Sequence, residues 1–190
     1  DETGVYALSV SELELAKLCD EAYDALSEEH RIFHGVYPKP KRVLLSAVMS
    51  KTELTGVYVP FTMEANVNVD IPDYSIASTM CHELAHLRGF IREDEANYIS
   101  YLACLASDSL ELQYSGLMEA LILSGNALYG KNPDLYYEIR ATYDEAVNRD
   151  LAANSAYWAQ FHNTKVSNTA EKLNDTYLKA NNQSDGVQSY

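Results

Sequence analysis

Apolar residues recur every three to four positions through most of this chain, a helical rhythm interrupted by one stretch of partial two-residue alternation. Over residues 10–29, Leu15, Leu18, Cys19, Ala22 and Leu26 share one face of a helix that opens with the capping box Ser11-x-x-Glu14. Pro38-Lys39-Pro40-Lys41 reads as a loop. Residues 42–49, 55–61 and 63–69 are rich in Val and Tyr and are punctuated by Gly56 and Pro60, which predicts two or three strands. The helical period then returns. One segment runs through His86 and stops at Gly89, and a second covers residues 91–107. A third, over 109–124, carries Leu110, Leu117, Met118 and Leu121 ahead of a break at Gly130. Asn132-Pro133-Asp134, a cap followed by proline at the first helical position, starts a long helix to residue 162. Its expected buried set is Tyr136, Ile139, Tyr143, Ala146, Val147, Asn154, Tyr157, Trp158 and Phe161. A last helix over 164–180 closes near Asn181-Asn182 and Gly186. The pattern predicts an α+β fold, predominantly α, with a small sheet ahead of the central helices and a C-terminal helical bundle. Residues 1–106 and 107–190 are expected to form two parts of one compact unit.

Chemistry concentrates in His82-Glu83-Leu84-Ala85-His86. Residues i and i+4 of a helix lie about 5–6 Å apart on one face, so both imidazoles can converge on a single ion. Glu83, one position beyond His82, projects beside that ion. There it can take a proton from water whose pKa zinc lowers from about 15.7 to about 7. A catalytic zinc usually has three protein ligands and one open position. Gly89, in the left-handed conformation that ends helices, turns the chain back toward a helix whose first turn holds Glu93, Asp94 and Glu95. Glu93 is the expected third ligand and Glu95 the alternative; only one of the two can face the metal. Asn97, one turn beyond Glu93, is placed to hydrogen-bond a ligating His or the Glu93 carboxylate.

The run HELAHLRGFIREDEANYISYLAC resembles the HExxH zincin-like peptidases, in which a helical Glu is followed by Ala-Asp or Ala-Asn; Glu93-Asp94-Glu95-Ala96-Asn97 fits that pattern. With GVYVPFTMEANVNVDIP upstream and NDTYLKANNQSDGVQSY at the end, residues 37–190 are similar to an uncharacterised bacterial domain-of-unknown-function family. Its members are membrane-anchored and zincin-like, with the HExxH motif of metallopeptidases. The resemblance implies a zincin-like core in residues 1–106, one Zn2+ per chain, hydrolysis of a peptide or protein substrate, and an extracytoplasmic domain. The anchor would be transmembrane helices preceding this segment. It implies further that the strand before the zinc helix, Met63, Glu64, Ala65, Asn66, Val67 and Asn68, pairs with extended substrate. A Tyr or His opposite the metal would stabilise the developing oxyanion, with His162, Tyr114, Tyr157 and Tyr177 as candidates. The His-x-x-Gly turn is similar to that of the metzincins, but their third ligand position holds Arg92 here. Arginine cannot bind zinc, so that assignment fails and Glu93 stands.

Charge narrows the partners. Fourteen Lys and Arg against 28 Asp and Glu give a net charge of −14, which offers no basic footprint for nucleic acid and no unaided attraction to anionic lipid. There is no apolar run of membrane-spanning length and the chain opens on Asp1, so it is expected to be a soluble piece of a longer protein, also cut at Tyr190. Cys19, Cys81 and Cys104 fit no metal-binding spacing; Cys81 and Cys104 are expected to pack as small buried hydrophobes. His30 and His34 read as loop residues, and most of the 15 tyrosines as core or groove residues.

Overall fold

Ser11 begins the first helix as its spacing predicts, its Oγ accepting the Glu14 N–H at 3.2 Å, and α1 runs Glu12–Glu29. The structure is a computed structural model that describes residues 2–180. The expected end signals Asn181-Asn182 and Gly186 lie outside the described residues.

The β region is smaller than the alternation predicts. Three strands, β1 (Lys41–Arg42), β2 (Gly56–Val59) and β3 (Glu64–Val67), form a sheet in the order β1-β3-β2, with β1 parallel and β2 antiparallel to β3. The second half of the strand predicted over 42–49 is instead the short helix α2 (Ser46–Ser50). Its two serines explain the difference. Ser46 Oγ donates to Val43 C=O at 2.7 Å and accepts the Val69 N–H at 3.0 Å, and Ser50 Oγ donates to Asp70 C=O at 2.9 Å. Local hydroxyl bonds of this kind offer the backbone an alternative to a ladder.

The central helices are α3 (Asp73–Leu87), α4 (Glu93–Ala106) and α5 (Leu110–Lys131). Gly89, at φ +95°, ends α3 in a Schellman motif: Phe90 N–H donates to Ala85 C=O at 3.2 Å and Gly89 N–H to His86 C=O at 2.9 Å. The helix predicted to break at Gly130 continues through it to Asn132, where the Asn-Pro signal takes effect; Asn132 Oδ1 accepts the Leu135 N–H at 3.2 Å. The long helix expected from there to residue 162 is two, α6 (Pro133–Arg140) and α7 (Glu145–Ala159). Asp144 starts the second by accepting the Ala146 N–H at 2.8 Å, a cap within what the periodicity reads as continuous helix. The last described element is α8 (Lys165–Ala180).

One apolar core joins α1, β3, α3, α4 and the start of α5, from Leu15 to Leu112. Cys19, Cys81 and Cys104 are buried in it as free thiols. Because Ser115 Oγ accepts the Ser78 N–H at 2.8 Å and Gly116 sits hard against Cys104 Cβ, α5 is packed into this core, which therefore extends past residue 106. The apolar set expected on α6 and α7 is only half-buried, and Ile139 is exposed; the one buried residue of those two helices is Asp150.

Candidate metal centre

The i, i+4 spacing on α3 and the tight Schellman turn after it account for the geometry of the site. His82 and His86 stack one turn apart, their ring centroids 4.6 Å apart and their planes at 87°. The chain reverses at Gly89, and Glu93, the first residue of α4, brings its Oε2 to 3.1 Å from His82 Nε2 and 3.6 Å from His86 Nε2. One donor atom from each of the three lies within 4.8 Å of the others. Glu95 points elsewhere, exposed beside His30, Phe33 and Phe90 in an apolar groove between the Arg31–Phe33 turn and α4.

The surroundings act on both Glu93 and His86. Burial works against ionisation of Glu93, but hydrogen bonds and charge from His82 and His86 outweigh it and bring its carboxyl down to about 2. Burial lowers His86, and Glu93, Glu83 and the Phe90 carbonyl together more than reverse this, so its pKa is raised. His86 Nδ1 donates to Phe90 C=O at 2.7 Å; in the neutral ring this leaves the Nε2 lone pair facing Glu93.

Glu83 is 4% exposed and its Oε2 has no hydrogen-bond partner among the described residues. Desolvation raises its pKa, partly offset by His82 and His86 and reinforced by Glu93. β2 crosses directly over it at Gly56, where a Cβ would collide with Glu83 Oε1. In the sequence Gly56 reads as punctuation between strands; its role as the gap that admits Glu83 depends on a contact 27 positions away in the chain, which carries no local signal. Glu119 on α5 is a second residue that sequence reasoning misses. Its carboxylate is desolvated, which raises its pKa, and the charge of His82 acts in the opposite direction.

The other expected site residues are scattered. Asn97 is half-buried one turn past Glu93 and makes no hydrogen bond to His82, His86 or Glu93. Tyr114 donates its hydroxyl to buried Asp150, and Tyr157 to Ser50 Oγ at 2.6 Å and to Asp70. His162 is exposed and pairs with Glu53 at 3.2 Å. The Tyr177 side chain lies outside what the structure describes. Met63 sits in the hairpin turn at φ 53°, and Glu64, Ala65, Asn66 and Val67 form β3, the middle strand. Asn68 is fully buried, its amide donating to Ser50 Oγ at 2.9 Å and Leu54 C=O at 3.0 Å. With β2 on one side and β1 on the other, this strand has no open edge at Asn66 and Val67, whereas β1 does not reach Glu64 and Ala65. The free edge beside Glu83 belongs to β2.

Residues 3–190 match a family described as proteins of unknown function (DUF3810). The chain belongs to this family. No curated protein and no solved structure gives a match to it. Among the described residues of this DUF3810 member, no helix is long and apolar enough to cross a membrane. Two imidazole nitrogens and one carboxylate oxygen form a donor set that could hold a metal ion, with the buried, partnerless Glu83 Oε2 on the same helix.

Proposed function

We propose that this chain is a zinc-dependent peptidase, or a closely related amide hydrolase, with a zincin-like core. The observation that carries the reading is the convergence of Glu93 on His82 and His86 beside the buried, unpartnered Glu83. His82, His86 and Glu93 would hold one Zn2+ per chain. When bound, the ion supplies Lewis acidity, bringing the pKa of water toward about 7 and polarising a carbonyl. Glu83 is the general base: its free Oε2 takes the proton of the attacking water and hands it to the leaving amine. Gly56 keeps β2 close enough for an extended peptide, paired with the outer edge of Gly56–Val59, to pass the carboxylate. The sequence resemblance supports anchoring to a membrane by segments outside this chain, with this domain extracytoplasmic.

Metal content by native mass spectrometry tests the first half. One zinc in the wild type, absent in His86→Ala, is expected, and a wild type purified with zinc present that holds none refutes the reading. Glu83→Gln should keep its metal and lose hydrolysis of a broad peptide library by about 10²–10⁴-fold. Equal cleavage by both proteins would falsify the mechanism. The engagement of Tyr114 and Tyr157 with Asp150, Ser50 and Asp70 favours a second reading, a catalytically silent zinc-stabilised peptide-binding or sensor domain. It predicts bound metal, retained peptide and no cleavage.

A further inference from the structure

The two histidines of the trio differ in what holds the nitrogen facing away from it. His86 Nδ1 is tied to Phe90 C=O at 2.7 Å, which sets both tautomer and ring angle. His82 turns Nε2 to Glu93, and its Nδ1 reaches no acceptor among the described residues. A ligating imidazole needs such an acceptor, because the N–H it cannot offer the metal must be satisfied elsewhere and the bond fixes the ring.

Packing of α3 on α5 places one candidate there. Leu8 N–H donates to Asp73 Oδ2 at 2.9 Å and Ser9 N–H to Glu111 Oε1 at 3.2 Å, so the two helices start side by side. Further along, Ser78 N–H donates to Ser115 Oγ at 2.8 Å, which keeps them in parallel register. One more turn on each helix brings Glu119 level with His82. The Glu119 side chain is half-buried and makes no hydrogen bond among the described residues, and both desolvation and the charge of His82 act on its carboxylate. A desolvated carboxylate without a donor is costly to keep, and an imidazole N–H is a donor that would offset the cost.

We infer that Glu119 is a positioning residue for His82, its carboxylate accepting the Nδ1 proton and aiming Nε2 at the point where His86 and Glu93 meet. The inference rests on the zinc reading and assigns to α5 a part in building the site. Glu119 takes no part in the transfer of the substrate's proton, which belongs to Glu83.

Zinc affinity, measured by competition with a chromophoric chelator, separates this from that reading. Glu119→Ala should bind zinc about 10–100-fold more weakly than wild type. The isosteric Glu119→Gln, which retains an acceptor but not the charge, should fall between them. Thermal stability in chelator should not fall in Glu119→Gln, whereas a merely structural carboxylate would lower it. In zinc-loaded wild type, an ¹⁵N-resolved spectrum of the histidine rings should show His82 protonated at Nδ1 with a strongly hydrogen-bonded proton that moves in Glu119→Gln. Affinities of both variants within about threefold of wild type, with His82→Ala losing the metal, would overturn the role of Glu119 and leave the zinc site standing. A wild type without zinc affinity would overturn both.

Discussion

The central helices and the C-terminal helices of this chain are built on different terms. In α1, α3 and α4, buried side chains such as Leu15, Cys19, Met80, Leu84 and Ala103 are 0–1% exposed, and His82, His86 and Glu93 all stand on that layer. In α6, α7 and α8, Asp150 and Ser167 are the buried side chains among the described residues, while Leu135, Tyr137, Ile139, Val166 and Leu173 lie open. The C-terminal helices are fastened by polar ties. Asp150 accepts from the Tyr6 N–H at 2.7 Å and from the Tyr114 hydroxyl, Arg149 Nε donates to Gly4 C=O at 3.1 Å, and Tyr157 bonds Ser50 at 2.6 Å. Close packing is thus concentrated under the proposed donor atoms, which stand on apolar helices and not on the hydrogen-bonded periphery.

A pair of leucines should separate the two regions most widely. Leu84→Ala, at a site with no exposure, should destabilise by about 2–5 kcal/mol, and Leu173→Ala, 67% exposed, by no more than about 0.5 kcal/mol. Equal losses in urea unfolding would erase the distinction between the regions.

Acid should act on the central layer next. Glu93 is depressed to about 2, so its contribution is fully present above its ordinary value near 4.5 and is lost as pH falls from there toward about 2. That shift is worth roughly 3 kcal/mol. His86 is raised, so its contribution is complete below the usual 6.5 or so and fades as pH rises through the raised value. These are two ends of one ion pair and do not add. In chelator, thermal stability should therefore peak between the two limits, and Glu93→Gln should flatten the acid limb. An acid limb unchanged by that substitution would place the sensitivity outside the trio.

Asp150→Ala strands the Tyr6 N–H and the Tyr114 hydroxyl, with an expected cost of about 1–3 kcal/mol. Limited proteolysis should then open the C-terminal helices before the centre, and simultaneous digestion would show that the two regions unfold as one. Gly56→Ala tests the seam between sheet and site. The collision of the added methyl with Glu83 Oε1 forces one of them to move, at about 1–3 kcal/mol, with peptide cleavage falling by more than the loss of folded protein explains. Unaltered cleavage would detach β2 from the role proposed for Glu83.

Much of this was legible in the chain. The Ser11 cap, the Gly89 turn and the Asn132-Pro133 start are local rules obeyed locally, and His82, His86 and Glu93 follow from helical spacing plus one tight turn. Where expectation and structure part, a second local signal competes with the first. Ser46 and Ser50 draw a β-rich run into a short helix, and Asp144 caps a new helix where the apolar period continues. Long-range placement is another matter. Strand order makes β3 central and leaves β1 and β2 at the edges, while packing of β2 on α3 brings Gly56 to Glu83 and packing of α5 on α3 brings Glu119 within the field of His82. Residue order alone was enough to say which side chains lie within a turn or two of one another, because backbone geometry repeats every few positions. Which distant groups share a dry pocket was fixed only on folding, because burial and the electric fields within it depend on how whole elements close over one another.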